Sequence, residues 1–512
     1  MTPAGRAAAA LAAVCLLALG LRVYHLSDPI LDHPAWRQGD EAAIARNFAQ
    51  LQNDITYPQT DYNGPPPNYV ELELQIIPYL AAQTYRMFGI HESFGRLFTI
   101  AFSLATVLAL YALAYELFSR RAALLAALFF AVAPGAVYYG RTFTPESAML
   151  FFSTGLLVFW WRWTARRRWP DFAAAVGMGA LAWLSKPPAL VVAAPLLAMT
   201  LCAGRRRAYL DVWLYVFIGS TLVPFFVYFG HVARIAEWHW ASGITTKHVL
   251  PALRAALSSP TSFGGSIQRA LGLLRMLSTT ILGPALFGLT LIGLFALPRD
   301  RLMRERGWIF GAWLGALTIY GFVVVNVERV DYYLILFVPF AALLAAGAVD
   351  NLWRYLWPTG VMPASSLAGL ALAGLIMIYT NMLEIHPYYS WSRPVYSAAK
   401  ELRAKLAPGA LVVMGHYDPA VLYTIGHKGW QEDALAYSVH DMTSAIAKGG
   451  RYFVAVEVPR FKANQPLYRF MQRYRRVPVS SGWQVYDTRH FAAGLGNRQQ
   501  VRRLRLNRRA RL

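Results

Sequence analysis

Charge is scarce in this chain and cysteine is nearly missing. Of 512 residues only 15% are charged, while 56% are hydrophobic. That departs from the mix of an ordinary globular domain in the direction of a membrane protein. The two cysteines, Cys15 and Cys202, both fall inside apolar runs. Cys15 belongs near mid-membrane and Cys202 near a membrane face, so no disulfide framework and no cysteine metal site is expected. No Walker phosphate loop and no Rossmann glycine fingerprint occurs, which leaves nucleotide-driven transport without support. Few charges fall mid-span, which argues against an ion-coupled carrier.

What is present is a series of apolar runs between residues 7 and 383. A membrane crossing takes about 20 helical residues. Eleven spans are predicted, at 7–27, 93–118, 121–140, 143–163, 170–185, 187–203, 208–230, 279–297, 307–327, 331–350 and 362–383. The N-terminal run is read as a retained first span, because ten others follow it. Arg120–Arg121, Arg162 with Arg166–Arg168, Arg205–Arg207, and Arg299, Arg301, Arg304 and Arg306 fall in alternate loops. The positive-inside rule makes those loops cytoplasmic. The N-terminus is then inside, and segments 28–92, 231–278 and everything beyond 384 lie outside. The formal net charge of +22 thus has a topological use, and no nucleic-acid partner is expected.

The first outer segment, 28–92, holds nine acidic residues and three arginines, a third of the protein's 27 carboxylates. Within it Asp40–Gln52 is predicted as an amphipathic helix with Ile44, Phe48 and Leu51 on one face. A second helix is predicted over Asn68–Phe88, kinked at Pro78. Asp40 and Glu41 open the first helix. One reading makes them caps for the helix start. The other makes Asp40 a general base for an acceptor hydroxyl, with Glu41 in support. Glu71 and Glu73 are candidate acceptor-binding groups or metal ligands, or solvated acids on an interfacial helix.

Four cations, Arg96, Arg141, Lys186 and Arg329, fall at span ends on the outer face. Singly each reads as a snorkelling anchor. Gathered around an acidic loop they read as partners for an anionic group such as a lipid phosphate. In segment 231–278 the aromatics Trp238 and Trp240 suit a membrane interface. His231, His239 and His248 match no tight metal motif, and the pair His231 and His239 is carried as a minor metal candidate.

Beyond Pro387 the composition changes. ALVVM at 410–414, YFVAVE at 452–457 and WQVYD at 483–487 read as strands, and Pro394–Leu406 and Ala463–Tyr474 as helices. A small α/β domain over 384–490 follows, then a basic tail, 491–512, suited to anionic lipid or phosphate.

Four stretches carry a family resemblance: WRQGDEAAIARNF, ELELQIIPYLAAQTYRMFGIHESFGRL, RTFTPESAMLFF, and the LSKPP and DYYLILFVPF segments. Together they resemble the polytopic glycosyltransferases of the C-type (GT-C) fold, and within these the protein O-mannosyltransferase and aminoarabinose transferase superfamily, over roughly residues 7–350. The resemblance implies a GT-C membrane domain over 1–383 and sugar transfer from a polyprenyl-phosphate donor to a glycan, lipid or protein hydroxyl at the outer face of a bacterial inner membrane, with inversion. Asp40 would be the base and Glu41 its support. Arg96, Arg141, Lys186 and Arg329 would hold the donor phosphate, and Glu71 or Glu73 would complete the site or bind a divalent ion. The chain departs from the aminoarabinose transferases in lacking Glu-Lys-Pro-Pro in the first loop, where Asn63-Gly64-Pro65-Pro66 stands, and Asp331 stands where a histidine is often seen. A lipid or glycan translocase without transferase activity, or a catalytically inert glycan binder, is the alternative.

Overall fold

The computed structural model describes residues 2–202, 211–239, 242–243, 245–296, 306–357 and 362–492. Arg205–Arg207, Trp240, Arg299, Arg301, Arg304 and the basic tail from 493 lie outside the described residues.

The helices run in order as α1 (Pro3–Val23), α2 (Ala35–Gln50), α3 (Ile76–Phe88), α4 (Glu92–Leu117), α5 (Arg120–Val132), α6 (Pro134–Tyr138), α7 (Glu146–Arg166), α8 (Trp169–Ser185), α9 (Ala193–Cys202), α10 (Val212–Ile235), α11 (Leu250–Leu257), α12 (Pro260–Met276), α13 (Pro284–Ala296), α14 (Gly307–Val327), α15 (Phe337–Leu356) and α16 (Ala364–Ile385). Each of the eleven predicted spans has a helical counterpart. Among the described residues, six helices are long and apolar enough to cross a membrane on their own, and a seventh arises if the pair Ser262–Ile281 and Pro284–Phe295, bent by 114°, is one span. The others fall short alone. Span three breaks at Ala133-Pro134 into α5 and α6, because proline cannot continue the backbone ladder of the turn before it. Span six opens as a 3-10 turn, Pro187–Val192, before α9.

The exposed surface of α16 carries Leu367, Leu370, Leu375, Ile376 and Leu383. A water-soluble fold would bury such a row; a bilayer covers it. At one end of the bundle Glu116 receives Arg162 and Arg166 at 2.9 Å each, and its carbonyl accepts from Arg306. Asp350 pairs with Arg354 at 3.1 Å and lies 3.7 Å from Arg121. The described arginines of the loops expected to be cytoplasmic thus gather at a single end.

The chain then enters α17 (Arg393–Lys405), β1 (Leu411–Gly415), α18 (Pro419–Ile425), β2 (Lys428–Gln431), α19 (Val439–Ala447), β3 (Gly450–Ala455), α20 (Val458–Ala463), α21 (Gln465–Met471), β4 (Tyr474–Val477) and β5 (Gln484–Phe491). The sheet order is β2-β1-β3-β5-β4. β1 pairs parallel with both β2 and β3, and β5 is antiparallel to β3 and β4. The buried run Val412, Val413 and Met414 suits a central strand covered on both faces.

This domain is joined to the first outer segment. Gly64 N donates to Gly429 O at 2.7 Å and Gly429 N to Asp61 O at 2.9 Å, so the loop adds to the edge strand β2. Tyr62 is buried in the same apolar cluster as Leu402, Val412, Leu422 and Val454. A β-carbon on Gly429, whose φ is +151°, would lie 2.0 Å from Val412 O, so only glycine fits there.

Candidate active site

α2 begins at Ala35, five residues before the expected start. Pro34 occupies the N-cap and makes no side-chain cap bond. Asp40 therefore sits inside the helix, and the capping reading of Asp40 and Glu41 falls. Ile44 and Phe48 do share a face, but it packs on Val70 and Ala82 of the loop and α3, with Leu51 left exposed.

Adjacent residues on a helix point about 100° apart. Asp40 and Glu41 accordingly face different surroundings. The Tyr62 hydroxyl hydrogen-bonds to the Asp40 carboxylate. Oδ1 of Asp40 is buried with no hydrogen-bond partner. Burial is the main cause that raises the Asp40 carboxyl to about 7; Arg37 and the Tyr62 bond oppose it, and the charges of Asp418 and Asp61 add to it. An orphaned carboxylate oxygen titrating near neutrality suits a group that takes up a proton.

Glu41 turns toward the membrane bundle. Its Oε1 lies 2.8 Å from Nη2 of Arg37, one helical turn earlier. The same Arg37 nitrogen holds Oε1 of Glu73. Burial, then repulsion by Glu73, Glu146 and Asp40, raises Glu41 to about 8 against the pull of Arg37. Lys186 pairs with Glu146 and stands over the rings of Tyr332 and Tyr333 at 4.8 Å from each. Two cations and three carboxylates thus meet at the foot of α2.

The other expected phosphate ligands are placed differently. Arg96 and Arg141 are fully buried and share one acceptor, Asp32, at 2.8 and 2.9 Å. Arg141 also donates to His25 O, and Arg96 to the carbonyls of Leu26 and Asp28. Both are spent on fixing the turn between α1 and α2 and face no open site. Arg329 is exposed just before the 3-10 turn Asp331–Leu336. Asp331 accepts from Tyr388 and lies 3.2 Å from Nε2 of His33, which ties the loop to the segment entering the α/β domain.

Glu71 and Glu73 do not lie on a helix. α3 starts only at Ile76, and Pro78 stands in its first turn, where a missing N–H costs no bond, so no kink forms. Oε2 of Glu71 accepts from Gly243 N at 2.8 Å. His231 bonds Thr56 O at 3.1 Å, and His239 lies 3.3 Å from Thr60 Oγ1. Burial lowers His239 to about 4. Each group has its own partner, and among the described residues no three His, Cys, Asp or Glu side chains gather as a metal site. Glu71, Glu73, His231 and His239 do not fit a shared divalent ion in this conformation.

Sequence reasoning missed Arg37, Asp32, Tyr62 and Asp418. Arg37 had a visible signal, since it stands four residues before Glu41. The rest depend on contacts between distant segments.

Residues 75–229 match the family model described as dolichyl-phosphate-mannose-protein mannosyltransferase. The structure of ArnT from Cupriavidus metallidurans bound to undecaprenyl phosphate superposes with a TM-score of 0.62 at 16% identity, covering 96% of this chain and 99% of that one. The oligosaccharyltransferase AglB from Archaeoglobus fulgidus, in complex with an inhibitory peptide and a dolichol-phosphate, gives 0.55 at 14% identity, over 95% of this chain and 75% of that one. No curated protein sequence matched. The chain is a polytopic helical protein of the GT-C fold with a small C-terminal sheet domain. It is similar to O-mannosyltransferases over α3 to α10, and to ArnT over nearly its whole length.

Proposed function

We propose that the protein is a membrane glycosyltransferase that passes a sugar from a polyprenyl-phosphate donor to an acceptor hydroxyl, with inversion, Asp40 being the general base. The observation that carries this reading is the Asp40 carboxylate: buried, raised to about 7, and with Oδ1 unpartnered. Its place in the first loop of a GT-C fold adds to it, as does the polyprenyl phosphate bound in ArnT and the dolichol-phosphate in AglB.

In the proposed step the acceptor oxygen attacks the anomeric carbon of the donor. Its proton passes to Asp40 Oδ1. The bond from the anomeric carbon to the phosphate oxygen breaks on the opposite face, which inverts that carbon. The polyprenyl phosphate departs with the bonding pair, and its charge falls to Lys186 and Arg329. Arg37 pairs with Glu41 and Glu73 and offsets their charge, while Arg96 and Arg141 position the loop through Asp32. By the positive-inside rule the site opens on the outer, periplasmic face of a bacterial inner membrane, with the α/β domain on the same side and the N-terminus inside.

The test is transfer from a purified undecaprenyl-phosphate sugar to a glycan, lipid or peptide acceptor in nanodiscs, read by product mass. A product formed by the native chain and lost in Asp40→Asn supports the reading. Movement of labelled lipid across vesicles with no change in its mass would show a translocase instead.

A further inference from the structure

A second feature stands at the start of α18, the helix that packs on α2 at Gly39. The chain leaves β1, forms α18 and returns as β2 on one side, then crosses through α19 to β3 on the other side. The turns after β1 and β3 therefore part at their carboxyl ends, which is where open α/β sheets bind ligands. A cavity of about 180 Å³ opens there, lined by Gly415, His416, Tyr417, Asp433, Glu457 and Arg460.

Its chemistry is selective. His416 Nδ1 lies 3.3 Å from Glu457 Oε1. Arg460 Nε lies 3.1 Å from Asp433 Oδ1 and 3.5 Å from Glu457 Oε2. Such half-exposed ion pairs add only about 0–1 kcal/mol to stability, so folding does not account for the cluster. Nε and Nη2 of Arg460 both bond Asp433, so the crevice offers the remaining guanidinium N–H groups, two carboxylates and an imidazole, with Tyr417, 60% exposed, at the rim. Asp433 and Glu457 already engage the Arg460 guanidinium, which disfavours phosphate and other anions. Hydroxyls that both donate and accept suit the polar groups, and the flat apolar face of a pyranose suits the tyrosine.

The crevice is linked to the catalytic loop. Asp418, next to Tyr417, caps α18 by accepting from Ala420 N at 2.9 Å. α18 lies against α2 at Gly39. Asp418 acts electrostatically on Asp40, and His416 on Asp418.

We propose that this crevice is a binding site for a neutral pyranose, and that it holds a sugar ring of the acceptor while a neighbouring hydroxyl reaches Asp40. The sugar site stands on its own geometry; its assignment to the acceptor rests on the glycosyltransferase reading above.

The experiment uses the full chain in nanodiscs, free of glycoside detergent. Saturation-transfer NMR is run with methyl α-mannopyranoside and methyl β-glucopyranoside, and with inorganic phosphate as competitor. At least one glycoside should receive saturation. That signal should fall at least about fivefold in Tyr417→Ala and in Arg460→Ala, the effect of losing a single good contact. It should persist in Asp40→Asn, and phosphate should not displace it. Unchanged melting temperatures show that the variants are folded. No transfer to either glycoside, equal signals in both variants, or displacement by phosphate overturns the site.

The acceptor assignment has a separate readout. In transfer assays with a glycan acceptor, both crevice variants should raise the acceptor KM about tenfold, with kcat and the donor KM kept. Unchanged acceptor KM overturns the assignment and leaves the glycosyltransferase reading intact. Glycoside binding by a chain that never transfers sugar upholds the crevice as a sugar site, and it overturns both the acceptor assignment and the glycosyltransferase reading.

Discussion

Gly39 lies against Ala420 with no room for a side chain: a β-carbon on Gly39 would stand 2.6 Å from both Cα and N of Ala420. The obstacle is backbone, so it cannot swing aside. Gly39→Ala should push α18 from α2, costing about 1–3 kcal/mol as an overpacked contact. The change should appear as a lower melting temperature and as faster proteolysis between residues 387 and 425. Native values for both would mean that the helix contact is unimportant.

Asp40→Asn should lower the transfer rate by about 10²–10⁴-fold, the usual worth of a general base. Its stability should move the other way. The folded carboxyl is raised to about 7 from an ordinary 3.8, so the native state holds its proton more tightly than the unfolded chain does. Stability is then lost as pH climbs from about 4 to 7, and the full cost is present above 7. Asparagine carries no such cost, so at pH 8 the variant should melt at or above the native temperature.

Transfer itself should rise with pH through about 7, because the base acts unprotonated. The hydrogen bond from Tyr62 favours the charged carboxylate and so lowers its pKa. Tyr62→Phe should therefore move the acid limb of kcat/KM to higher pH. A limb that stays in place, or moves to lower pH, would show that another group governs the profile.

Asp32 is the shared carboxylate partner of two fully buried guanidinium groups. Breaking a buried pair by removing one partner costs about 3–5 kcal/mol. Asp32→Asn should thus reduce the yield of folded protein sharply, and Arg96→Ala and Arg141→Ala should lower the melting temperature.

Lys186→Met leaves Glu146 without its cation but keeps the length of the side chain. It should raise the donor KM about tenfold and leave the acceptor KM within about twofold, as expected for loss of one charge-assisted contact. Equal change in both constants would remove Lys186 from the donor side.

Much of the scaffold is legible in the residues alone. Apolar runs located helices close to all eleven expected spans, and 307–327 coincides with α14. The strand patterns at 410–414, 452–457 and 483–487 overlap β1, β3 and β5. The edge strands KGWQ and YRRV carry no alternation of apolar and polar residues, because solvent or the first loop covers them in place of a partner sheet. At the site, the Asp40–Glu41 pair stands out in the sequence, but the partners of these acids do not. Arg96 and Arg141 look like ligands for an anion from outside, and the anion they meet is Asp32, some 64 and 109 residues away in the chain. A local pattern shows that a cation will need an anion; only the packing of distant segments shows which one.

Asp40 and Glu41, about 100° apart, give α2 two neighbouring faces with different surroundings. On one side stand Tyr62, Asp418 and the sheet domain. On the next stand Glu73, Glu146 and Lys186, facing the bundle, with Arg37 between the two, paired with Glu41 and acting on Asp40. In evolutionary terms the two sides are separable. Exchanging the turns after β1 and β3 could retarget such a protein to a new acceptor while its dealings with the lipid stayed as they are. Chimeras that graft those turns between relatives are therefore a practical route to altered specificity.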